Sequence, residues 1–200
     1  MDASTLFQQQ LVEMPKALLQ QKCLHEIVQT KDHTLYPFLY GPYALMITDP
    51  EPENDIHIVF DCFVKLNQYP IVALGNFKSN AYGQALLEKY SNNNLIKLIE
   101  LPLQQRTINM FRSNCFIYID AHHFVNHTTS LIEAMFMQLP IIAFSSIYNQ
   151  LATDYQALYY KRAHDLLEIL QTLHPTRTAN FGSAMKKTLT DQMERFHLIH

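Results

Sequence analysis

Glycine is scarce in this chain, with only four among 200 residues. Phosphate-binding loops of the GxGxxG and Walker types need closely spaced glycines, because their backbone must approach the phosphates. Gly41, Gly75, Gly83 and Gly182 lie too far apart to build either loop. A phosphate site in this protein would therefore have to use a helix N-terminus and side chains.

Cysteine, charge and long apolar runs are also limited. Three cysteines without a CxxC spacing argue against a disulfide framework or a zinc ribbon and favour a reducing, cytoplasmic location. We recognise no signal peptide, and no apolar run approaches the roughly 18 residues that a transmembrane helix needs. The net charge of −3 gives no basic footprint for nucleic acid. We expect neither a nucleic-acid partner nor a transmembrane segment.

Short apolar runs alternate regularly with amphipathic segments from residue 43 to residue 173. Strands are predicted at 43–48, 70–74, 95–101, 115–119, 141–144 and 157–160. Helices are predicted at 56–66, 81–90, 104–112, from 128 onward, at 163–173 and at 183–196. This order predicts an α/β, Rossmann-like, doubly wound domain with a mainly parallel sheet of about six strands and flanking helices.

The domain is assigned to residues 41–200. Residues 1–40 are interpreted as an N-terminal helical extension, with a helix over 5–30, and a turn-rich connection over 31–42. The apolar positions Leu11, Met14 and Leu18 of that helix could pack on the domain or form the seam of a homodimer.

The segment from Cys115 to Phe144 carries most of the chemical information. It predicts a strand, a histidine-rich loop, a helix that begins at Thr128, and a second strand. Thr128, Thr129 and Ser130 bring hydroxyls and free backbone N–H groups to the helix N-terminus, where a diphosphate would be favoured. Glu133 lies about one turn further on, within reach of a sugar hydroxyl. We therefore hypothesise a site for a nucleotide sugar.

Two histidines in the same loop are candidate catalytic groups. His122 and His123 could act as general acid or base, because imidazole titrates near neutrality. Asp120, at the end of the preceding strand, could orient one of them. His123 and His127 are four residues apart but lack a third ligand, so we predict no metal site. Either histidine could instead be a hydrogen-bonded structural group.

Four stretches of the chain resemble the C-terminal, nucleotide-sugar-binding half of the retaining group 1 glycosyltransferases of the GT-B fold. The resemblance is closest to the rhamnosyltransferase-like bacterial branch that builds surface polysaccharides. The stretches are GPYALMITDPEPEN (41–54), VALGNFKSNAYGQALLEKY (72–90), YIDAHHFVNHTTSLIEAM (118–135) and LPIIAFSSIYN (139–149). The SLIEAM segment is the most specific of these matches.

The resemblance implies roles for individual residues. Glu133 matches the glutamate that holds the ribose hydroxyls, and Thr128 to Ser130 match the turn that meets the diphosphate and the donor sugar. Gly75 and Asn76 match a loop close to the phosphates. Asn54 matches the position of a phosphate-binding lysine. Leu101 and Pro102 match the position where the base of the nucleotide contacts the protein backbone. The donor sugar would be a substrate, and no cofactor is expected.

Departures from the family pattern qualify this expectation. Asp49 stands where the family has an arginine that offsets diphosphate charge, and Val125 stands where it has the first of two glutamates. Arg106, Lys78 or a partner would have to supply positive charge. Residues 1–40 are too short to build the acceptor-binding half, so we expect a partner polypeptide to bring it. Through that partner the protein could lie at a membrane surface.

Three functions follow from these observations. The first is a donor-binding glycosyltransferase domain or subunit in polysaccharide or glycan synthesis. The second is a degenerate, non-catalytic module of the same fold that binds a nucleotide weakly or acts as a scaffold. The third is an unrelated Rossmann-like enzyme that uses His122 or His123 as a base.

Overall fold

Six parallel strands form one sheet in the computed structural model of the chain, which describes residues 26–124, 128–173 and 179–195. The strands are β1 (Ala44–Ile47), β2 (Ile71–Gly75), β3 (Ile96–Glu100), β4 (Ile117–Asp120), β5 (Ile141–Phe144) and β6 (Leu158–Tyr160). Their order is β3-β2-β1-β4-β5-β6, and every neighbouring pair is parallel. The predicted α/β, doubly wound fold is confirmed.

Helices connect these strands. They are α1 (Thr30–Leu35), α2 (Ile56–Leu66), α3 (Ala81–Tyr90), α4 (Gln105–Asn114), α5 (Thr128–Phe136), α6 (Ile147–Ala152), α7 (Ala163–Thr172) and α8 (Ala179–Arg195). The helices predicted at 56–66 and 81–90 have the predicted bounds. In the described part of the chain, no helix has the length and apolar character needed to cross a membrane.

Two helices depart from the sequence prediction. Helix α1 lies largely in the connection expected to be rich in turns, and α6 lies between the predicted strands at 141–144 and 157–160, where no helix was predicted. The helix predicted over 5–30 falls mostly outside the described residues, and residues 26–29, which are described, are not helical. Both unpredicted helices have six residues, which is too short for a clear 3.6-residue pattern.

The helices cover both faces of the sheet. Helices α2, α3 and α7 pack on one face, whereas α4, α5 and α8 pack on the other. Residues of β1 alternate between these two layers, with Ala44 and Met46 on the first and Leu45 on the second. Because both faces are buried, the strands carry continuous apolar runs and not an alternating pattern.

The neighbouring strands β1 and β4 mark the point where the chain reverses its winding direction. From β1 the chain moves to β2 and β3, and then crosses back through α4 to β4 on the other side. Pairing of β1 with β4 joins Ala44 to Ile117 and Leu45 to Tyr118, in the first half of each strand. Such switch points leave a crevice beyond the carboxyl ends of the strands, where ligands bind in this class of fold.

Helix α3 packs directly against the backbone of the loop after β2. A Cβ atom added at Gly83 would lie 2.2 Å from the carbonyl oxygen of Phe77 and 2.9 Å from its Cα. The Gly83 amide donates to Oδ1 of Asn80 at 2.8 Å, which caps the helix. Since Phe77 is fully buried, neither partner can move away easily.

We expect Gly83→Ala to lower the free energy of unfolding by about 1–3 kcal/mol, because the added methyl group overlaps fixed backbone atoms. In an unobstructed helix, alanine would stabilise the protein relative to glycine by about 1 kcal/mol. A loss of stability in Gly83→Ala would therefore itself indicate the overlap. Gly41→Ala is the control, since no atom lies within 4 Å of its added Cβ. Urea denaturation should separate the two variants, and equal stability would contradict the packing of α3.

Candidate functional site

A cleft of about 180 Å³ opens at the switch point between β1 and β4. It is lined by Ile47, Thr48, Asp49, Leu101, His122, Thr129 and Ser130. These residues come from the end of β1, the residue after β3, the loop after β4 and the first turn of α5. Pockets that enclose a whole drug-sized ligand measure about 300 Å³ or more, so this cleft has room for part of a nucleotide sugar.

His122 is held at the wall of this cleft by a buried carboxylate. Asp120, the last residue of β4, is 1% exposed, and its Oδ1 atom accepts from the backbone amide of His122 at 3.0 Å. The same oxygen lies 3.1 Å from Nδ1 of His122, which donates because an ionised carboxylate can only accept. The interpretation of Asp120 as an orienting group agrees with this geometry.

The two neighbouring histidines have pKa values that move in opposite directions. Burial lowers the pKa of His122, but the carboxylates of Asp120 and Asp49 outweigh it, so the pKa lies above its ordinary value of 6.5. Burial also lowers the pKa of His123, and there it prevails over the opposing charge of Asp55. The ring of His123 stacks on Phe144 with 3.5 Å between centroids. His122 therefore carries the positive charge of this loop more readily.

Two asparagine amides fix the histidine loop from either side. Asn54 donates through Nδ2 to the carbonyl of Asp49 at 3.2 Å and accepts from the His123 amide through Oδ1 at 3.3 Å. Asn149 of α6 donates to the carbonyl oxygens of His122 and Phe144, each at 3.0 Å. Both ends of the Asn54 amide thus form hydrogen bonds within the protein, and Asn54 is not among the residues that line the cleft.

The other residues selected from the sequence are distributed around the cleft. Gly75 ends β2, where a Cβ atom would lie 2.6 Å from the carbonyl oxygen of Thr48. Asn76 and Pro102 are exposed and do not line the cleft. Thr128 begins α5, but its side chain is not among those described. Val125 and His127 lie outside the described residues.

Glu133 is paired with an arginine that the sequence analysis did not select. Its Oε2 atom accepts a hydrogen bond from Nη2 of Arg112 in α4. The Arg112 side chain is 3% exposed and that of Glu133 is 14% exposed. An arginine on the apolar side of an amphipathic helix, directly after Met110 and Phe111, was the available signal.

The expected sources of positive charge are not at the cleft. Arg106 forms ion pairs with Glu26 at 3.4 Å and Asp32 at 3.5 Å, and it does not line the cleft. Lys78 is exposed. No lysine or arginine is among the described residues that line the cleft, where Asp49 adds a carboxylate.

Comparisons with known proteins identify the fold. No family model and no curated protein sequence matches the chain. A sucrose-phosphate synthase from Thermosynechococcus elongatus has a similar structure, with a TM-score of 0.70 and 15% identity over 88% of this chain and 47% of that protein. HepE of Anabaena in complex with UDP-glucose gives a TM-score of 0.66 and 15% identity over 86% of this chain and 50% of HepE.

A third similar structure is the C-terminal domain of LpcC, a group 1 family glycosyl transferase from Francisella tularensis. It gives a TM-score of 0.58 and 13% identity, over 88% of this chain and 97% of that domain. The chain thus spans about half the length of the first two proteins, 47% and 50%, and nearly all of the LpcC domain. The expected Rossmann-like fold, which these glycosyltransferase structures share, is confirmed, whereas membership of the rhamnosyltransferase-like branch stays a prediction.

We expect His122 and His123 to titrate on opposite sides of pH 6.5, as measured by NMR of their imidazole Cε1–H signals. The carboxylates of Asp120 and Asp49 hold the midpoint of His122 above this value, whereas burial holds that of His123 below it. In Asp120→Asn the His122 midpoint should fall, and the His123 midpoint should rise slightly because a less charged His122 repels its protonated form less. A His122 midpoint equal to or below that of His123 would contradict this electrostatic arrangement.

Proposed function

We propose that the chain is the donor-binding domain of a glycosyltransferase. It binds a nucleoside diphosphate sugar in the cleft between β1 and β4, and it acts in retaining glycosyl transfer with an acceptor-binding half that a partner polypeptide supplies. The product belongs to a polysaccharide or another glycan.

The observation that carries this proposal is the meeting of residues from distant parts of the chain. Leu101, His122, Thr129 and Ser130 were each selected from the sequence, and all four line one cleft at the switch point of the sheet. This is the place where doubly wound folds bind nucleotides. HepE, which has a similar structure, was solved with UDP-glucose.

The diphosphate contacts the first turn of α5 in this proposal. The first N–H groups of a helix have no partner within it, and the helix dipole favours an anion there. Thr129 and Ser130 supply such groups at the cleft. The imidazolium of His122 supplies the positive charge that an arginine in place of Asp49 would give. The backbone at Leu101 faces the base.

Sugar transfer requires that the bond between C1 of the sugar and the phosphate oxygen breaks while a bond from C1 to the acceptor oxygen forms. The electron pair of the broken bond passes to the diphosphate, and the acceptor proton leaves to the diphosphate or to a base. Charge that develops on the leaving group is stabilised by fixed dipoles and by His122. The partner's contribution is to place the acceptor hydroxyl on the face of the sugar that the diphosphate leaves.

The second candidate function is a nucleotide-binding module without turnover. The carboxylate of Asp49 at the cleft favours it, because a negative charge there repels a developing phosphate charge. Hydrolysis of UDP-glucose separates the two functions. A protein that binds the donor but releases no glucose, alone or with an acceptor half, would be the non-catalytic module.

We expect a nucleoside diphosphate to raise the thermal midpoint in a panel of UDP, dTDP, GDP and ADP. A ligand present at 100 times its dissociation constant stabilises a folded protein by about 2.7 kcal/mol. The matching nucleoside should give a much smaller shift, because it lacks the group that α5 binds. Absence of a shift with every diphosphate would remove the donor-binding proposal.

We expect Ser130→Asp to weaken binding of the best diphosphate by about 1–3 kcal/mol, since it places a negative charge within several ångströms of the phosphates. Asn92→Asp is the matched control, because it adds the same charge in an exposed turn after α3, away from the cleft. Isothermal titration calorimetry measures both variants. Equal affinities in the two would place the diphosphate away from α5.

A further inference from the structure

Arg112 is a buried charged group that the proposed chemistry does not yet use. It is 2% exposed, and its Nη2 atom donates to Oε2 of Glu133. The Nε and Nη1 atoms of this guanidinium are buried without a hydrogen-bond partner in the described structure. A buried charge with two unsatisfied donors is costly, so stability alone does not explain it.

The surroundings of the pair make this cost greater. Met110 and Phe111 precede Arg112 in α4, and Leu131 and Ile132 precede Glu133 in α5; all four belong to the apolar core. Replacing a buried ion pair with well-packed apolar side chains is often neutral or stabilising. The pair therefore points to a role that depends on where the Glu133 carboxylate is held.

The geometry of α5 connects Glu133 to the cleft. Ser130 and Thr129 precede it by three and four residues, so the three side chains lie along one side of the helix. Ser130 and Thr129 line the cleft, and Glu133 lies one turn deeper. Its Oε2 atom is used by Arg112, whereas no described residue donates to its Oε1 atom.

We propose that Arg112 is a positioning residue, which holds Glu133 by one carboxylate oxygen so that the other accepts from the hydroxyls of a bound ribose. This inference rests on the proposed function, since it assumes a nucleotide in the cleft. A guanidinium suits the task because its planar donors fix the direction of a carboxylate, which a flexible ammonium group does less well.

A comparison of ribose and dideoxyribose nucleotides isolates this role. The probes are whichever of UDP, GDP and ADP binds best and its 2′,3′-dideoxy analogue. Isothermal titration calorimetry gives the affinity of each. The native protein should prefer the ribonucleotide by about 10- to 100-fold, as expected for hydrogen bonds to a charged group. In Arg112→Met and in Glu133→Gln this preference should fall to a few-fold or less.

Arg106→Met is the matched control on the same helix. It removes an arginine that pairs with Glu26 and Asp32 and does not contact Glu133, so the preference should stay at its native value. If Arg112→Met does not fold, Arg112→Lys replaces it, and a smaller but clear reduction is expected because the ammonium group lacks the planar geometry.

The outcomes separate this inference from the proposed function. If Arg112→Met, or the folded Arg112→Lys protein, loses affinity equally for both probes, Arg112 is only a structural residue and the inference is overturned. A native protein that binds diphosphates without preference for the ribonucleotide also overturns it, while leaving the donor-binding function intact. No binding of any diphosphate by the native protein ends the proposed function itself.

Discussion

The partial pairing of β1 with β4 is the constraint on which the candidate site depends. The two strands join at Ala44–Ile117 and Leu45–Tyr118. Because the chain leaves this point in opposite directions, the polar residues after each strand face a common opening. Asp49 and His122 reach the cleft for this reason, although they lie 73 positions apart in the sequence.

The charges of buried side chains then determine which groups at this opening are protonated. Asp120 uses a single oxygen both to orient the imidazole of His122 and to raise its pKa. Protonation of His122, which these carboxylates favour, would give the cleft a positive charge. Asp49 also raises the pKa of His122 and so acts toward it as a counter-ion.

Sequence patterns predicted the long elements well. Helices α2 and α3 have the predicted bounds because their apolar spacing runs for ten residues or more and turn residues flank them. Helix α6 was missed because six residues span less than two turns. In the site, Thr129, Ser130 and His122 could be selected from a helix start and a strand end, which are local features, whereas Leu101 was selected from the family resemblance.

The remaining site residues depend on contacts between distant segments, which the sequence does not encode locally. Asn54 has the residue type of a phosphate ligand, yet the amide of His123, 69 positions away, takes its side-chain oxygen. Arg112 acquires its partner only when α4 and α5 pack on the same face of the sheet.

Two charged pairs, Asp120–His122 and Arg112–Glu133, share one buried neighbour, Tyr118 of β4. The phenol of Tyr118 lies within electrostatic reach of Asp120, Arg112 and Glu133, and burial, followed by Asp120, raises its pKa far enough to keep it neutral. The neutral phenol thus adds no charge near either pair. Because each pair costs desolvation energy, the apolar layers on both faces of the sheet must offset that cost. Since burial of these pairs does not favour folding, they fit the proposed binding function better.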